Sequence, residues 1–313
     1  MSAIAEHRAV SSSNSAPSRA ALRRTRARTV DRVMTGVLWG VTAALVGVLA
    51  YFILFTISRG LSVINWTFIT QADLTGDYDG PEVFNTFYIL TLALLVAVPI
   101  GIAAAVYLRE YAQQNAFTNL VRFATETLAG VPSLVIGFFG FLIFVVNHEN
   151  GGLGWGYSRI AGAMTLAILN LPLLLRVSED AIRNVPHDIR EASAALGATK
   201  SQTIRRVLLP TAIPQLATGV ILTAGKMIGE TAAIIFTTGL VSPPVGWFSL
   251  NPFITGDTLT VHLYELQAEG VQRNALQVES GTAALLILFL LLFNLGFRGL
   301  AALLNRRFAG RTR

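Results

Sequence analysis

"PHDIREASAALGATKSQTIRRVLLP", residues 186–210, sits between two long apolar runs and carries charges of both signs. Its local signals are those of two short helices. Asp188 with Glu191 three places on forms a capping-box pattern, and Gly197 stands where a glycine ends a helix. Thr199 with Gln202 repeats the box, and Pro210 closes the segment. The spacing therefore predicts a helix, a glycine turn and a helix. Ala192, Ala194, Ala195 and Leu196 give this knob a small, apolar surface, suited to a groove on another protein.

The runs around the knob set the class of the molecule. Of 313 residues, 53% are apolar and 13% charged, where a soluble domain has about a quarter charged. A bilayer-crossing helix needs about 20 apolar residues. Six segments qualify: Met34–Ile57, Val83–Leu108, Thr127–Val146, Ile160–Leu175, Ile213–Leu240 and Gly281–Phe297. The expected fold is all-α, a polytopic membrane protein of six transmembrane helices. Pro172 is expected to bend the fourth span, and Pro210 with Pro214 to break the start of the fifth. A cleaved leader does not fit the charge-free run 33–58, which is too long for one.

Lys and Arg give the orientation. With the N-terminus inside, 20 of the 24 fall in cytoplasmic segments and Arg59, Arg159 and Arg273 fall outside. Both termini are then cytoplasmic, in a plasma membrane of bacterial or archaeal type. The expected organisation is a disordered basic tail (1–32), a first helix with an acidic external loop (33–82), a core (83–298) and a basic tail (299–313). The acidic loop holds Asp73, Asp77, Asp79 and Glu82. In the external loop 242–280, "SPPVGWFSLNPF" reads as an interfacial turn. "GDTLTVHLYELQAEG" reads as a short helix capped by Asp257 and stopped by Gly270, lying on the membrane surface or offered to an external partner.

"GKMIGET" (225–231) places Lys226 and Glu230 one helical turn apart in the fifth span, near its midpoint at Met227. A charge there costs about 2.5–3.5 kcal/mol, and the Lys-before-Glu order returns less than the about 0.2–0.5 kcal/mol of the reverse order. Such residues line water-filled paths or pair across helices. Lys226 is read as a transient positive station for an anion, Glu230 as the group that positions it, and Arg176 as a second station. Gly225 and Gly229 form a small face for a neighbouring helix.

Other chemistries find no support. "GVILTAGKM" (219–227) has the wrong spacing for a P-loop and lies inside a span, so ATP hydrolysis is assigned to a separate subunit and no cofactor to this chain. "GGLGWG" (151–156) lacks the frame of a dinucleotide site. The four histidines are scattered, and no metal cluster or catalytic group is visible. Mapping the positive charge to membrane-flanking segments removes the case for nucleic acid.

The knob resembles the coupling loop of ABC importer permeases of the MetI-like type. Glu191, Ala192 and Ser193 stand in its Glu-Ala-Ala, followed by Gly197 and then Val207, Leu209 and Pro210; Ser193 and Val207 depart within size class. "ETLAGVPSLVIGFFGFLIF" (126–144), "LPLLLRVSEDAIRNVP" (171–186) and "GKMIGETAAIIFTTG" (225–239) are similar to the A-type permease subunits of phosphate ABC importers. That resemblance implies half of a phosphate path and a loop, 186–210, seated on a cytoplasmic ATPase dimer. It also implies a second permease chain and an external phosphate-binding protein. The family usually has Arg where Lys226 stands, which keeps the charge but loses the bidentate fork. The alternatives are a permease for another oxyanion, the C-type partner subunit, or an ion-driven carrier, which should show inverted repeats.

Overall fold

The structure, a computed structural model, describes residues 19–72, 78–113, 115–240, 248–269 and 275–309. Asp73, Asp77, the turn at 242–247, Gly270, Arg273 and the outer parts of both tails lie outside these residues. All regular structure among the described residues is helical, as the composition requires.

The chain divides into two units, Met1–Phe55 and Thr56–Arg313. The first unit holds most of helix α1 (Arg19–Gly60), whose Val30–Gly60 portion is long and apolar enough to cross a bilayer.

The second unit is built around α6 (Arg159–Arg183). A short helix α2 (Trp66–Thr70) precedes α3 (Gly80–Val106). Helices α4 (Ala116–Gly130) and α5 (Ser133–Gly140) follow, then α6 and the knob helices α7 (His187–Ala195) and α8 (Lys200–Thr203). The unit ends with α9 (Leu209–Ile228), α10 (Ile235–Thr238), α11 (Leu259–Glu269) and α12 (Ala275–Ala309). Ile89, Ala93 and Ala97 of α3, Ala163, Leu166 and Leu174 of α6, and Ala224 and Met227 of α9 form one buried core. In lipid, apolar area does not drive helices together, so close packing through small residues must. A Cβ on Gly219 would fall 2.1 Å from Val177 Cγ1, and one on Gly101 3.0 Å from Leu174 Cβ. These glycines let α9 and α3 touch α6.

Three expectations about the spans are corrected. The third span is not one rod. Its two halves, Ala116–Gly130 and Ser133–Val145, meet at 106°. Pro132 has no N–H to give, and it holds Val131 in extended backbone. The fifth span starts unbroken. A wide π-type turn over Ile204–Leu208 leads straight into α9, and the helical run continues through Pro210, the second residue of α9. That span also ends earlier than Leu240, at Ile228, giving a helical run Lys200–Ile228 of 29 residues. The chain beyond it turns, burying Ala233 and Ile234, and α10 then packs into the core with Thr237 and Thr238 buried. Irregular backbone at membrane depth is tolerated where protein covers it. Pro172, by contrast, lies inside a continuous α6.

Candidate functional site

The knob has the predicted form, with one cap different. Thr199 and Gln202 make the reciprocal capping box of α8. Asp188 caps nothing: Pro186 occupies the N-cap of α7, Asp188 lies in its first turn, and Glu191 pairs with His187 at 3.0 Å. Between the helices Gly197 takes φ +78°, a left-handed conformation that costs a side-chain-bearing residue.

Two sets of residues divide the knob. Ser193 is buried, and its Oγ lies 2.9 Å from Thr203 Oγ1, which ties the two arms together. The Ser that departs from the Glu-Ala-Ala pattern is thus a hydrogen-bonding brace. Ile204 and Leu208 are buried with Ala105, Leu108, Ile182 and Val185, while Val207, Leu209 and Pro210 are half-buried at the base. The other set faces outward: Glu191, Ala192, Ala194, Ala195 and Gly197 are exposed, and Leu196 is 89% exposed.

A charged anchor that sequence reading missed fixes the knob to the end of the second span. Arg190 Nη1 donates to Glu110 Oε1 at 2.6 Å, and its Nη2 donates to the Ile182 carbonyl at 2.7 Å. Lys200 donates to the Glu110 carbonyl and lies 5.1 Å from the centre of the Tyr111 ring. Nearby, Arg122 of α4 makes a two-pronged pair with Glu179 of α6 at 3.0 and 3.3 Å. Nothing local marks these partners, which are 80 and 57 residues apart in sequence.

The membrane charges are placed differently from the expectation. Lys226 lies in the last turn of α9 and Glu230 beyond its C-cap, Gly229. The two are therefore not on one continuous helix, and among the described residues no ion pair joins them. Lys226 is exposed and Glu230 half-buried. A cation at a helix C-terminus is favoured by the helix dipole. The Glu230 carbonyl accepts from Thr260 Oγ1 at 3.1 Å, which ties this turn to α11. A Cβ on Gly225 would lie 3.7 Å from the Asn294 side chain, an ordinary contact, and one on Gly229 would meet no other helix within 4 Å, so the small face there is not a tight helix seam. Arg176 is exposed on α6. Asn170 lies fully buried on the same helix, with Nδ2 on the Leu166 carbonyl and Oδ1 without a hydrogen-bond partner.

Helix α11, expected to lie on the membrane surface or to meet an external partner, is packed into the protein. Leu259, Val261 and Leu266 are buried, and Val261 joins the main core. Its cap is Thr258, whose Oγ1 accepts from the Val261 N–H at 3.4 Å, rather than Asp257. Asp257 instead turns inward, where it meets His262, Asp79 and Glu82. His262 Nδ1 lies 3.6 Å from Asp257 Oδ2 and Nε2 3.7 Å from Asp79 Oδ1. Asp79 Oδ1 also accepts from Thr282 Oγ1 of α12 at 3.0 Å. Burial pushes the Asp79 carboxyl up to about 7 against the opposing pull of His262 and Thr282. Burial alone would lower the His262 imidazole, but Asp257 and the charges of Glu82 and Asp79 outweigh it and hold it at about 9. Sequence reading did not show that His262 meets Asp79 and Glu82 of the acidic segment in a buried cluster. Arg159, expected in an external loop, is fully buried. Its guanidinium lies 5.6 Å from the Phe84 ring centre and 5.8 Å from that of Tyr88, and it donates to the Ser249 carbonyl.

A helical membrane core with a folded, outward-facing loop before its fifth span defines the permease class of transport protein. The chain belongs to the family described as "Binding-protein-dependent transport system inner membrane component", which matches residues 97–310. It is thus a multi-pass membrane protein and an importer permease, of a family whose members work with an ATPase and a substrate-binding protein. It is 38% identical over 294 residues to the "Probable ABC transporter permease protein YqgI" of Bacillus subtilis, covering 88% of this chain and 97% of that one. It is 32% identical over 247 residues to the "Phosphate transport system permease protein PstA" of Haemophilus influenzae, covering 78% and 84%. Among solved structures, a chain of the bacterial alginate ABC transporter superposes with a TM-score of 0.63 at 18% identity, covering 90% of this chain and 96% of that one. At that identity the likeness speaks for the fold alone.

Proposed function

We propose that the chain forms half of the transmembrane path of an ATP-driven importer for inorganic phosphate. The observation that carries the cargo is the run of phosphate permeases at 31–32% identity over about three quarters of the chain. Fold gives no help with cargo, since a chain of an alginate transporter shares it. In this reading the exposed surface of α7, with Glu191, Ala192 and Leu196, seats in a cytoplasmic ATPase. Ser193, Gly197, Val207, Leu209 and Pro210 keep that surface in shape. The anchor Arg190–Glu110 passes the ATPase's motion to α3, and the path alternates its access. A second, homologous permease supplies the other half, and an external phosphate-binding protein delivers the anion. Both termini lie in the cytoplasm of a bacterial or archaeal cell, which requires the broken pair α4–α5 to count as one crossing. ATP acts in the partner alone.

Lys226 and Arg176 are the positive stations of the path, both exposed for an oxyanion to reach. Glu230 shapes the turn beside Lys226 and repels an anion that stays. The test is uptake of radiolabelled phosphate by vesicles holding the whole assembly. Competition by arsenate but not sulfate is expected, and Lys226→Gln should slow uptake while Lys226→Arg retains it. Uptake that ignores Lys226→Gln would remove the path role. Transport of sulfate or molybdate in place of phosphate would keep the class and replace the cargo.

A further inference from the structure

We propose that the external end of the core holds a divalent transition-metal ion on Glu82, Asp257 and His262, with Asp79 as the positioning residue behind His262. One ligand atom from each of the three lies within 4.8 Å of the others, and all three residues are buried. Around a cation at about 2.1 Å, cis and trans ligands stand about 3–4.2 Å apart. Closing onto an ion from the outer limit of that spacing therefore needs side-chain shifts of up to about one ångström.

A further observation points to a missing cation. Glu82 Oε2 has no hydrogen-bond partner, on a side chain more than nine-tenths buried. Asp79 Oδ2, on a fully buried residue, is likewise unpartnered. A buried polar atom normally finds a partner, and leaving one without costs about 1–3 kcal/mol.

The chemistry of the donors narrows the ion. Imidazole with two carboxylates suits zinc, manganese or cobalt rather than calcium, which takes oxygen ligands. The two ring nitrogens divide the work. Nδ1 faces Asp257, the shared ligand, and Nε2 faces Asp79 Oδ1. A metal-bound His characteristically gives its other N–H to a carboxylate, and Asp79 is itself fixed by Thr282. The ion would join the first turn of α3, the loop before α11 and α11 itself, and through Asp79 would reach α12. It is a brace for the external half and takes no part in selecting the anion, so this inference stands apart from the phosphate reading.

Cobalt(II) is the probe. The full chain, in lipid nanodiscs and stripped with chelator, is titrated with cobalt while visible absorbance and bound metal are measured. One cobalt per chain with a ligand-field spectrum of mixed nitrogen and oxygen donors is expected, displaced by zinc. Glu82→Gln and His262→Gln should abolish it. Asp79→Asn should weaken it about 10- to 100-fold. Glu149→Gln, an exposed acid elsewhere, should change nothing. The wild-type titration guards against variants that misfold. Absence of stoichiometric cobalt on the wild-type chain, or equal binding by the folded Glu82→Gln and His262→Gln chains, overturns the proposal and leaves a protonated ion-pair cluster in its place.

Discussion

Replacing Arg190 with Met tests whether the knob is bolted to the second span. The change removes a charge-assisted bond to Glu110 at 2.6 Å and a bond to the Ile182 carbonyl at 2.7 Å, while keeping most of the side chain's bulk. The pair is mostly buried, with side-chain exposures of 26% and 13%, so solvent screening removes little. Hydrogen bonds to charged groups contribute about 1.5–3 kcal/mol each. Lys200 still holds the Glu110 carbonyl, and part of the loss is recovered by water at the exposed edge. A net local loss of about 2–3 kcal/mol is therefore expected. In amide hydrogen exchange by mass spectrometry, that raises the opening of 187–203 by about 30- to 150-fold. Protection in α6 around Ala163–Ala167, inside the main core, should stay as it was. Glu110→Gln combined with Arg190→Met should cost less than the sum of the two single changes. Unchanged exchange in the knob, or an equal rise across α3 and α6, would refute the anchor.

Leu196→Asp, at the 89% exposed tip, should leave the melting temperature of the chain unchanged, a surface change being within about 0.5 kcal/mol. The same variant should lose ATPase in co-purification; full retention would move the docking surface elsewhere. Gly219→Ala puts a methyl 2.1 Å from Val177 Cγ1 and should cost about 1–3 kcal/mol in thermal unfolding, with Val177→Ala restoring most of it. Ser193→Ala leaves Thr203 Oγ1 without its partner and should cost about 1 kcal/mol, read as faster exchange confined to the knob. Lys226→Gln should reduce phosphate uptake more than it reduces the stability of the chain, because Lys226 is exposed and makes no ion pair with Glu230.

The all-helical membrane class and the two-armed knob with its second capping box are legible in the residues alone, because both rest on local physics. Apolar length sets a span, Gly197 must be a residue that accepts a positive φ, and Thr199–Gln202 closes its own box within four residues. What sequence misjudged were the ends of apolar runs. An apolar run says only that water is largely absent, so its length could not separate α9 from the buried turn and α10 that follow Ile228. Tertiary structure alone decided where charges go. It turned Asp79, Glu82, Asp257 and His262 from a polar loop and a presumed surface helix into one buried cluster, and set Arg190 on Glu110 across 80 residues of chain. Those meetings depend on how α3, α11 and α12 pack, and packing is fixed by contacts such as Gly101 of α3 on Leu174 of α6 that no local pattern encodes.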